Sequence, residues 1–310
     1  KTCGLVVGSI QAGKTANYSA LICKAADAGY KCIIVLSGIH NDLRYQTQCR
    51  LDECFVGYHL ERRKGDSVHQ AKETSCGIAK YSEFVRGLAP CSATNLSEDF
   101  HNSNISVSSI NTPLLFVVKK NKTILTNLIG WIKNQKNREK VPLLLIDDEA
   151  DQASVNTSKD EDSPSTINKL IREILNYFPR FAFVGYTATP FANIFIDSKT
   201  ETEEFGKDIF PKDFIYQLRP SPNYFGPKDF FNDDYEGGLE LYMPVDQAHA
   251  NEWQNSLKSK RSYSVSDVPE DLTLAVCQYL ISAGIKAWRL AQRNQNKTCE
   301  SSMLIHVSSL

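Results

Sequence analysis

The stretch that decides the fold is Leu5-Val6-Val7-Gly8-Ser9-Ile10-Gln11-Ala12-Gly13-Lys14-Thr15. Its first three residues are apolar and predict a buried strand, and the residues after it, near Ala16–Ala28, have the pattern of a helix. Between the two, the sequence matches the phosphate-binding loop pattern G-x4-G-K-[ST]. A strand before the loop and a helix after it are the context that this pattern requires. The alternative is a glycine turn that binds nothing.

Each residue type in this loop has a predicted task. Gly8 and Gly13 let backbone N–H groups face a polyphosphate where a Cβ would collide. Lys14 is expected to reach the β and γ phosphates of ATP, and the Thr15 hydroxyl to ligate Mg²⁺. The positive N-terminal end of the following helix faces the same anion. The predicted nucleotide-binding residues are Gly8, Gln11, Ala12, Gly13, Lys14 and Thr15.

A second motif, Asp147-Asp148-Glu149-Ala150-Asp151, follows the apolar run Leu143–Ile146. We predict that Asp148 holds Mg²⁺, partly through water, and that Glu149 orients and deprotonates the attacking water. Asp147 follows the same strand and is an alternative residue on the metal side. An acidic helix cap is a further interpretation. Carboxylates this close together repel one another unless a cation lies among them, which favours the metal.

The third motif, Thr187-Ala188-Thr189-Pro190, follows the strand-like run Phe181–Val184. The hydroxyl groups of Thr187 and Thr189 are expected either to sense the γ-phosphate or to bind the region of Asp151. A simple turn that ends at the proline is the alternative. With Asp151, the two threonines form the predicted coupling set. Three such motifs at the carboxyl ends of three strands predict a ligand site, because ligands bind at that edge of an open α/β sheet.

Apolar strand-sized runs alternate with helical segments along the chain, and this alternation predicts a three-layer α/β fold with a parallel, RecA-like sheet. The predicted strands are Leu5–Val7, Cys32–Leu36, Leu114–Val118, Leu143–Ile146 and Phe181–Val184; the predicted helices lie near Ala16–Ala28, Asn41–Phe55, Lys122–Gln135 and Ser165–Tyr177.

The domain organisation follows from the same pattern. Residues 1–198 are predicted to form an ATP-binding lobe with a polar insertion at about 58–107. Residues 199–268 are expected to be a second insertion or appendage of short strands and turns. Residues 269–310 are predicted to hold a linker helix, Glu270–Arg293, and a strand at Met303–Val307 that begins a truncated second RecA-like lobe.

The three motifs resemble motifs I, II and III of superfamily 2 helicases and translocases, with Asp148–Asp151 as the DEAD-like motif. Together with Gly38-Ile39-His40-Asn41, Arg50-Leu51-Asp52-Glu53 and Thr187–Ile194, the loop also resembles the Z-one domain. This is a bacterial family labelled as endonucleases and associated with restriction-modification operons. The resemblance covers nearly the whole chain.

The resemblance implies a P-loop ATPase with ATP and Mg²⁺ as cofactors. Its implied function is the motor domain of a DNA helicase or translocase in a restriction-modification or phage-defence system, with methyltransferase, nuclease or other defence subunits as partners. An arginine finger would come from the second lobe, so the isolated fragment is expected to be nearly inactive. The alternative is an endonuclease-associated nucleotide switch or scaffold without motor activity. No Glu-x-Lys occurs in the chain, so we expect any nuclease centre to lie elsewhere.

Candidate contacts to nucleic acid lie after the second strand. Asn41, Arg44 and Gln48 are expected to contact phosphates, and Arg44 and Gln48, four residues apart, share a helix face. The alternative is that these residues merely cap and solvate their helix. The basic segment Lys119–Lys140 either tracks phosphates or forms a solvated face.

The amino-acid composition narrows the class of protein and its cellular location. The net charge of −1 argues against a generally basic coat for nucleic acid, and no apolar stretch is long enough to predict a membrane span. Nine cysteines without a C-x-x-C pair predict reduced thiols in an intracellular protein. We therefore expect a cytoplasmic enzyme without a membrane partner.

Overall fold

The computed structural model describes residues 1–61, 72–81, 89–103, 105–107, 111–155, 165–196, 201–202, 206–227, 229, 270–292 and 300–305. The chain divides into two compact units, Lys1–Gly226 and Pro227–Leu310. None of the helices in these stretches combines the length and apolarity that a membrane span requires.

Eleven strands occur in the described residues, and seven of them form one sheet in the order β11-β1-β8-β7-β2-β6-β5, with every neighbouring pair parallel. The others form two antiparallel pairs, β3 with β4 and β9 with β10. The strands are β1 (Thr2–Val7), β2 (Cys32–Ser37), β3 (Tyr58–Glu61), β4 (Lys72–Ser75), β5 (Cys91–Ser92), β6 (Leu114–Val118), β7 (Leu143–Asp148), β8 (Phe181–Thr187), β9 (Glu201–Thr202), β10 (Gly206–Lys207) and β11 (Phe214–Gln217).

The helices connect the parallel strands and cover both faces of the sheet. Short 3₁₀ turns lie at Gly77–Lys80 and Arg138–Lys140, and a π-helical turn, Asp52–Val56, continues the second helix. The α-helices are α1 (Lys14–Asp27), α2 (Asn41–Leu51), α3 (Lys122–Lys133), α4 (Thr166–Asn176), the short α5 (Phe191–Ile194) and, in the second unit, α6 (Glu270–Gln292).

Alternating side chains of the central strands enter two separate cores. On one face, Ile34 and Phe116 pack with α3 and α4, and on the other, Ile33 and Val35 pack with α1 and α2. All six residues of β2 are buried, because both faces of a parallel sheet are covered by helices. The predicted three-layer α/β class, with a mostly parallel sheet of RecA-like type, is therefore confirmed.

The five predicted sheet strands and the helices between them are present, but the sheet is wider than predicted. β11 pairs with the outer edge of β1, so the first compact unit extends to Gly226 rather than to residue 198. All four residues of β11 are exposed, and the strand therefore lacks the apolar signature of a buried strand. β5 has only two residues, too few for a periodic signal.

The predicted strand at Met303–Val307 is not found in the part of it that the structure describes. Residues 303–305 have no regular secondary structure, and residues 306–307 lie outside the described residues. Most of the predicted appendage at 199–268 also lies outside them, as do residues 62–71 and 82–88 of the predicted insertion at 58–107. The rest of that insertion is partly built into the fold, since Phe100 and Val107 are buried in the core beside α3.

Candidate nucleotide site

The three predicted motifs meet at one edge of the sheet. They follow β1, β7 and β8, which are neighbours in the order β1-β8-β7 and run parallel, so their carboxyl ends lie side by side. The backbone N–H of Gly8 donates to the carbonyl oxygen of Thr187 at 3.0 Å, which ties the start of the glycine loop to the end of β8. The fold thus assembles residues that are far apart in sequence.

The glycine loop turns sharply at Gly13. Gly13 lies in the left-handed region with φ of 89°, directly before α1. A Cβ on Gly8 would lie 3.0 Å from the side chain of Lys14 and 3.1 Å from that of Leu218, so a larger residue would require these side chains to shift. The Lys14 Nζ donates to the carbonyl oxygens of Gly8 and Ser9, both at 3.2 Å. The ammonium group therefore lies inside the curve of the loop.

Access to the loop is open. Gln11 and Gly13 are exposed, while Ala12, Lys14 and Thr15 are half-buried. The Thr15 hydroxyl accepts a hydrogen bond of 3.1 Å from Nη1 of Arg50, a residue near the end of α2 that the sequence did not single out for this loop. Two cationic side chains thus meet the loop from different helices.

The two adjacent aspartates at the end of β7 have different environments. Asp147 is fully buried, and its Oδ1 lies 2.8 Å from Lys120 Nζ. Asp148 instead accepts a 3.2 Å hydrogen bond from Tyr18 of α1, the helix that follows the glycine loop. Burial raises the pKa of the Asp148 carboxyl, and the Tyr18 hydrogen bond opposes that shift. The geometry therefore favours Asp148 over Asp147 as the residue on the metal side.

Glu149 lies in a strained turn beside the end of β2. Its φ of 54° is left-handed, an uncommon conformation for a residue with a Cβ. A Cβ on Gly38 would lie 3.2 Å from Glu149 Oε2, so the glycine makes room for this carboxylate. Burial raises the pKa of Glu149, and the charge of Asp148 raises it further. A raised pKa suits a group that accepts a proton near neutral pH.

Asp151 is bound by both threonines of the third motif. The Thr187 hydroxyl donates to Oδ1 at 2.6 Å, and the Thr189 hydroxyl donates to Oδ2 at 2.7 Å. The backbone N–H of Thr189 also donates to the Thr187 hydroxyl at 2.9 Å, which closes the turn. Of the two roles that the sequence left open for these hydroxyls, binding the Asp151 region is the one that the structure contains. The acidic turn and the turn after β8 are thereby joined.

Lys120 is a site residue that the sequence did not identify. It follows β6, and its side chain has no exposed area, so it does not belong to the basic surface predicted for Lys119–Lys140. The sequence did contain one signal for such a residue: Asp147 lies at the end of an apolar strand. A buried carboxylate requires a cationic or hydrogen-bonding partner. The sequence alone does not say which lysine fills that place.

Two of the three candidate contacts to nucleic acid lie inside the fold. Arg44 is buried, and its guanidinium donates to the carbonyl oxygens of Asn95 and Leu96, each at 2.9 Å. Gln48 is also fully buried. The expectation of a solvent-facing pair is therefore wrong for Arg44 and Gln48, because the segment after β5 packs over α2. Asn41 is exposed, and its contact with nucleic acid stays a prediction.

The oxygen donors of the site fit Mg²⁺ as far as the chain supplies them. A hydroxyl from Thr15 and a carboxylate from Asp148 are hard oxygen ligands of the kind that Mg²⁺ prefers. Within the described residues, no group of three or more His, Cys, Asp or Glu side chains is arranged to hold a metal ion. Magnesium at this edge would therefore depend on phosphate and water oxygens for its other ligands, which is its usual mode in nucleotide sites.

Comparison with known proteins adds no assignment: no model of a protein family matches the chain, and no curated protein matches it. The fold and the geometry of the site are therefore the grounds for assigning a function.

Proposed function

We propose that the chain is the ATP-binding motor domain of a superfamily 2 helicase or translocase, which hydrolyses ATP with Mg²⁺ to move on or remodel nucleic acid. The observation that carries the proposal is the double hydrogen bond from Thr187 and Thr189 to Asp151, at the sheet edge that also holds the glycine loop. A phosphate-binding loop alone requires no such link. A motor does require one, because events at the phosphate must be transmitted to other parts of the molecule.

Binding of ATP would begin at the glycine loop. Backbone N–H groups of the loop and the N-terminal end of α1 attract the phosphates, and Lys14 exchanges its two carbonyl acceptors for phosphate oxygens. The exchange is favourable because charge-assisted hydrogen bonds to an anion are stronger than bonds to neutral carbonyl groups.

The acidic turn supports the chemical step. Thr15 and Asp148 would hold Mg²⁺, which when bound neutralises charge that develops on the phosphates. Glu149 orients water towards the γ-phosphate and accepts its proton, a task that its raised pKa supports. Asp151 passes the state of this turn to the turn after β8 through its two threonine partners.

The wider setting of the proposal rests on the family resemblance. It places the motor in a bacterial restriction-modification or phage-defence system, in the cytoplasm, with DNA as the first nucleic acid to test. Methyltransferase, nuclease or other defence subunits are the partners to seek.

The test is the rate of ATP hydrolysis with and without DNA, measured in a protein that contains this chain together with the expected second lobe, because that lobe supplies the arginine finger. The proteins compared are the wild type, Lys14→Ala and Glu149→Gln. We expect DNA to stimulate the rate and both substitutions to abolish it, with ATP binding lost in Lys14→Ala and kept in Glu149→Gln. Lys24→Ala is the matched control, because Lys24 is an exposed lysine in the last turn of the same helix. A wild-type rate that DNA leaves unchanged contradicts the motor.

One observation favours the alternative of a nucleotide-controlled switch or scaffold. The burial of Arg44 and Gln48 leaves Asn41 as the one exposed member of the predicted nucleic-acid set. The same experiment separates the two functions: a switch binds ATP through Lys14 but shows no turnover that depends on DNA.

A further inference from the structure

The ammonium group of Lys120 has three acceptors around it. Its Nζ lies 2.8 Å from Asp147 Oδ1 and donates to the carbonyl oxygens of Glu149 at 2.6 Å and Gln152 at 3.0 Å. A lysine ammonium has three N–H donors, so these acceptors match its full capacity. The backbone N–H of Lys120 is also fixed, by the carbonyl oxygen of Gly38 at 2.8 Å.

Burying a charged side chain costs free energy unless it is well paired. Taking a lysine and an aspartate out of water carries a desolvation penalty, and apolar residues of similar volume often replace such a pair without loss of stability. An ion pair alone would need only Lys120 and Asp147. The other two acceptors of Lys120 are carbonyl groups of the turn after β7. Through them, the ion pair holds the backbone of this turn.

The turn held in this way carries Glu149 in a strained conformation. A left-handed conformation is unfavourable for a residue with a side chain and persists only where the surroundings impose it. The Glu149 carbonyl accepts from Lys120 and, at 2.8 Å, from the backbone N–H of Gln152. These bonds fix the peptide that follows the Glu149 Cα, and so fix where its side chain starts.

We propose that Lys120 is a positioning residue for Glu149. Its hydrogen bonds to the carbonyl groups of Glu149 and Gln152 anchor the strained turn. The Glu149 carboxylate is thereby held beside Gly38, at the sheet edge where the glycine loop lies. The inference rests on the proposed function for the role of Glu149, but the anchoring itself is a statement about the turn. Asp147, in turn, holds the Lys120 ammonium in place rather than binding a metal.

The test uses a pair of variants that share one change. Lys120→Met alone leaves Asp147 buried without its cation and is expected to unfold the protein or destabilise it strongly. The informative variant is therefore Lys120→Met/Asp147→Asn, which removes both charges. Asp147→Asn is the matched control. It also costs stability, because Lys120 loses its counter-ion. The ammonium keeps its two carbonyl acceptors and can donate to the amide oxygen of the new side chain, so we expect Asp147→Asn to be the milder single change.

Three quantities are measured in the same two-lobe protein that tests the proposed function: hydrogen exchange of the amides in residues 148–152, the Kd for ATP, and the single-turnover rate of ATP hydrolysis. In the double variant we expect the Gln152 amide to exchange about tenfold faster or more than in Asp147→Asn. We expect the hydrolysis rate to fall about tenfold or more, while the Kd stays within about threefold.

The results distinguish this inference from the proposed function. Exchange and hydrolysis equal to those of Asp147→Asn would show that Lys120 has only a structural role and would overturn the inference. A wild type that neither binds nor hydrolyses ATP would refute the proposed function, and hydrogen exchange would still decide whether Lys120 anchors the turn.

Discussion

Thr187 and Thr189 bind opposite oxygens of the Asp151 carboxylate, at 2.6 and 2.7 Å, but from different environments. Thr187 is 1 % exposed, whereas Thr189 is exposed to solvent. Water can replace the second hydrogen bond but not the first. The two hydroxyls therefore differ in what they contribute to stability, although they have the same partner.

We predict that Thr187→Val lowers the free energy of unfolding by about 1 to 3 kcal/mol, because it leaves the partly buried Oδ1 of Asp151 without its donor. Thr189→Val is its matched control and should cost less than about 1 kcal/mol. Urea unfolding measures both. In DNA-stimulated ATP hydrolysis we expect each variant to bind ATP but to lose stimulation. Equal stability losses would contradict the difference in burial.

Gly38→Ala is predicted to disturb Glu149. The added Cβ would lie 3.2 Å from Glu149 Oε2 and 3.2 Å from Leu43 Cδ1, and φ of 59° is strained for alanine. We expect the variant to lose roughly 1 to 2 kcal/mol of stability and to hydrolyse ATP more slowly, with ATP binding little changed.

Gly29→Ala separates strain from contact. Gly29 also has a left-handed φ, 92°, but nothing lies within 4 Å of the position of an added Cβ. It should therefore lose similar stability and keep the wild-type hydrolysis rate. Loss of hydrolysis in both variants would mean that backbone strain, and not the contact with Glu149, causes the effect.

Tyr18→Phe is predicted to weaken Mg²⁺ binding. The buried hydroxyl of Tyr18 donates to Asp148 Oδ2 at 3.2 Å and orients that carboxylate, which is the proposed metal ligand. We expect the Mg²⁺ concentration for half-maximal hydrolysis to rise by about tenfold. Tyr186→Phe is the control, because the Tyr186 hydroxyl donates to Asn17 while its ring packs edge-on against Tyr18 at 5.4 Å. Equal shifts in the two variants would exclude orientation by Tyr18.

A pH effect is predicted at Asp52, which lies outside the candidate nucleotide site. Burial raises its pKa from 3.8 to about 6, while hydrogen bonds from Gln48 and His59 oppose the shift. A folded-state pKa above the unfolded value means that the folded protein binds the proton more tightly. Protonation of Asp52 therefore stabilises the folded protein, and this contribution is fully present below about pH 4 and is lost as the pH rises past about 6. The shift corresponds to on the order of 2 to 3 kcal/mol.

Asp52→Asn removes this titration with little change of shape. Its amide can still accept from Gln48 and donate to His59. We therefore expect the variant to gain stability relative to the wild type as the pH rises from about 4 to about 7. Thermal unfolding of both proteins across this range measures the difference. A difference in stability that is constant with pH would show that Asp52 does not titrate in this way.

The parts of the fold that the sequence predicted are those with a local signal. Leu143–Ile146 is apolar throughout because β7 is covered on both faces, and Gly13 is a glycine because the loop turns left-handed before α1. The burial of Arg44 has no local signal: its acceptors, Asn95 and Leu96, lie 51 and 52 positions away along the chain. Sequence spacing placed Arg44 correctly on a helix face but could not say what covers that face.

The same distinction explains the candidate site. The three motifs could be predicted to meet because the carboxyl ends of parallel strands share an edge. The burial of Lys120 could not be predicted, because runs of charged residues are usually solvated and nothing in the sequence near Lys120 marks it as buried. What a charged side chain contacts depends on tertiary packing. Lys120 follows β6 and its partners follow β7, and these two strands come close only because β2 lies between them in the sheet.

The position of β1 in the sheet has a consequence for how the protein is made. β1 carries the glycine loop, yet both of its neighbours, β8 and β11, come from the far end of the same unit. A ribosome that adds about 5 to 20 residues per second would need roughly 10 to 35 seconds to synthesise the roughly 170 residues between β1 and β8. During that time an apolar strand has two open edges. The segment that we propose to bind nucleotide is thus synthesised long before it can be enclosed, and in that interval it is most exposed to aggregation or to a chaperone.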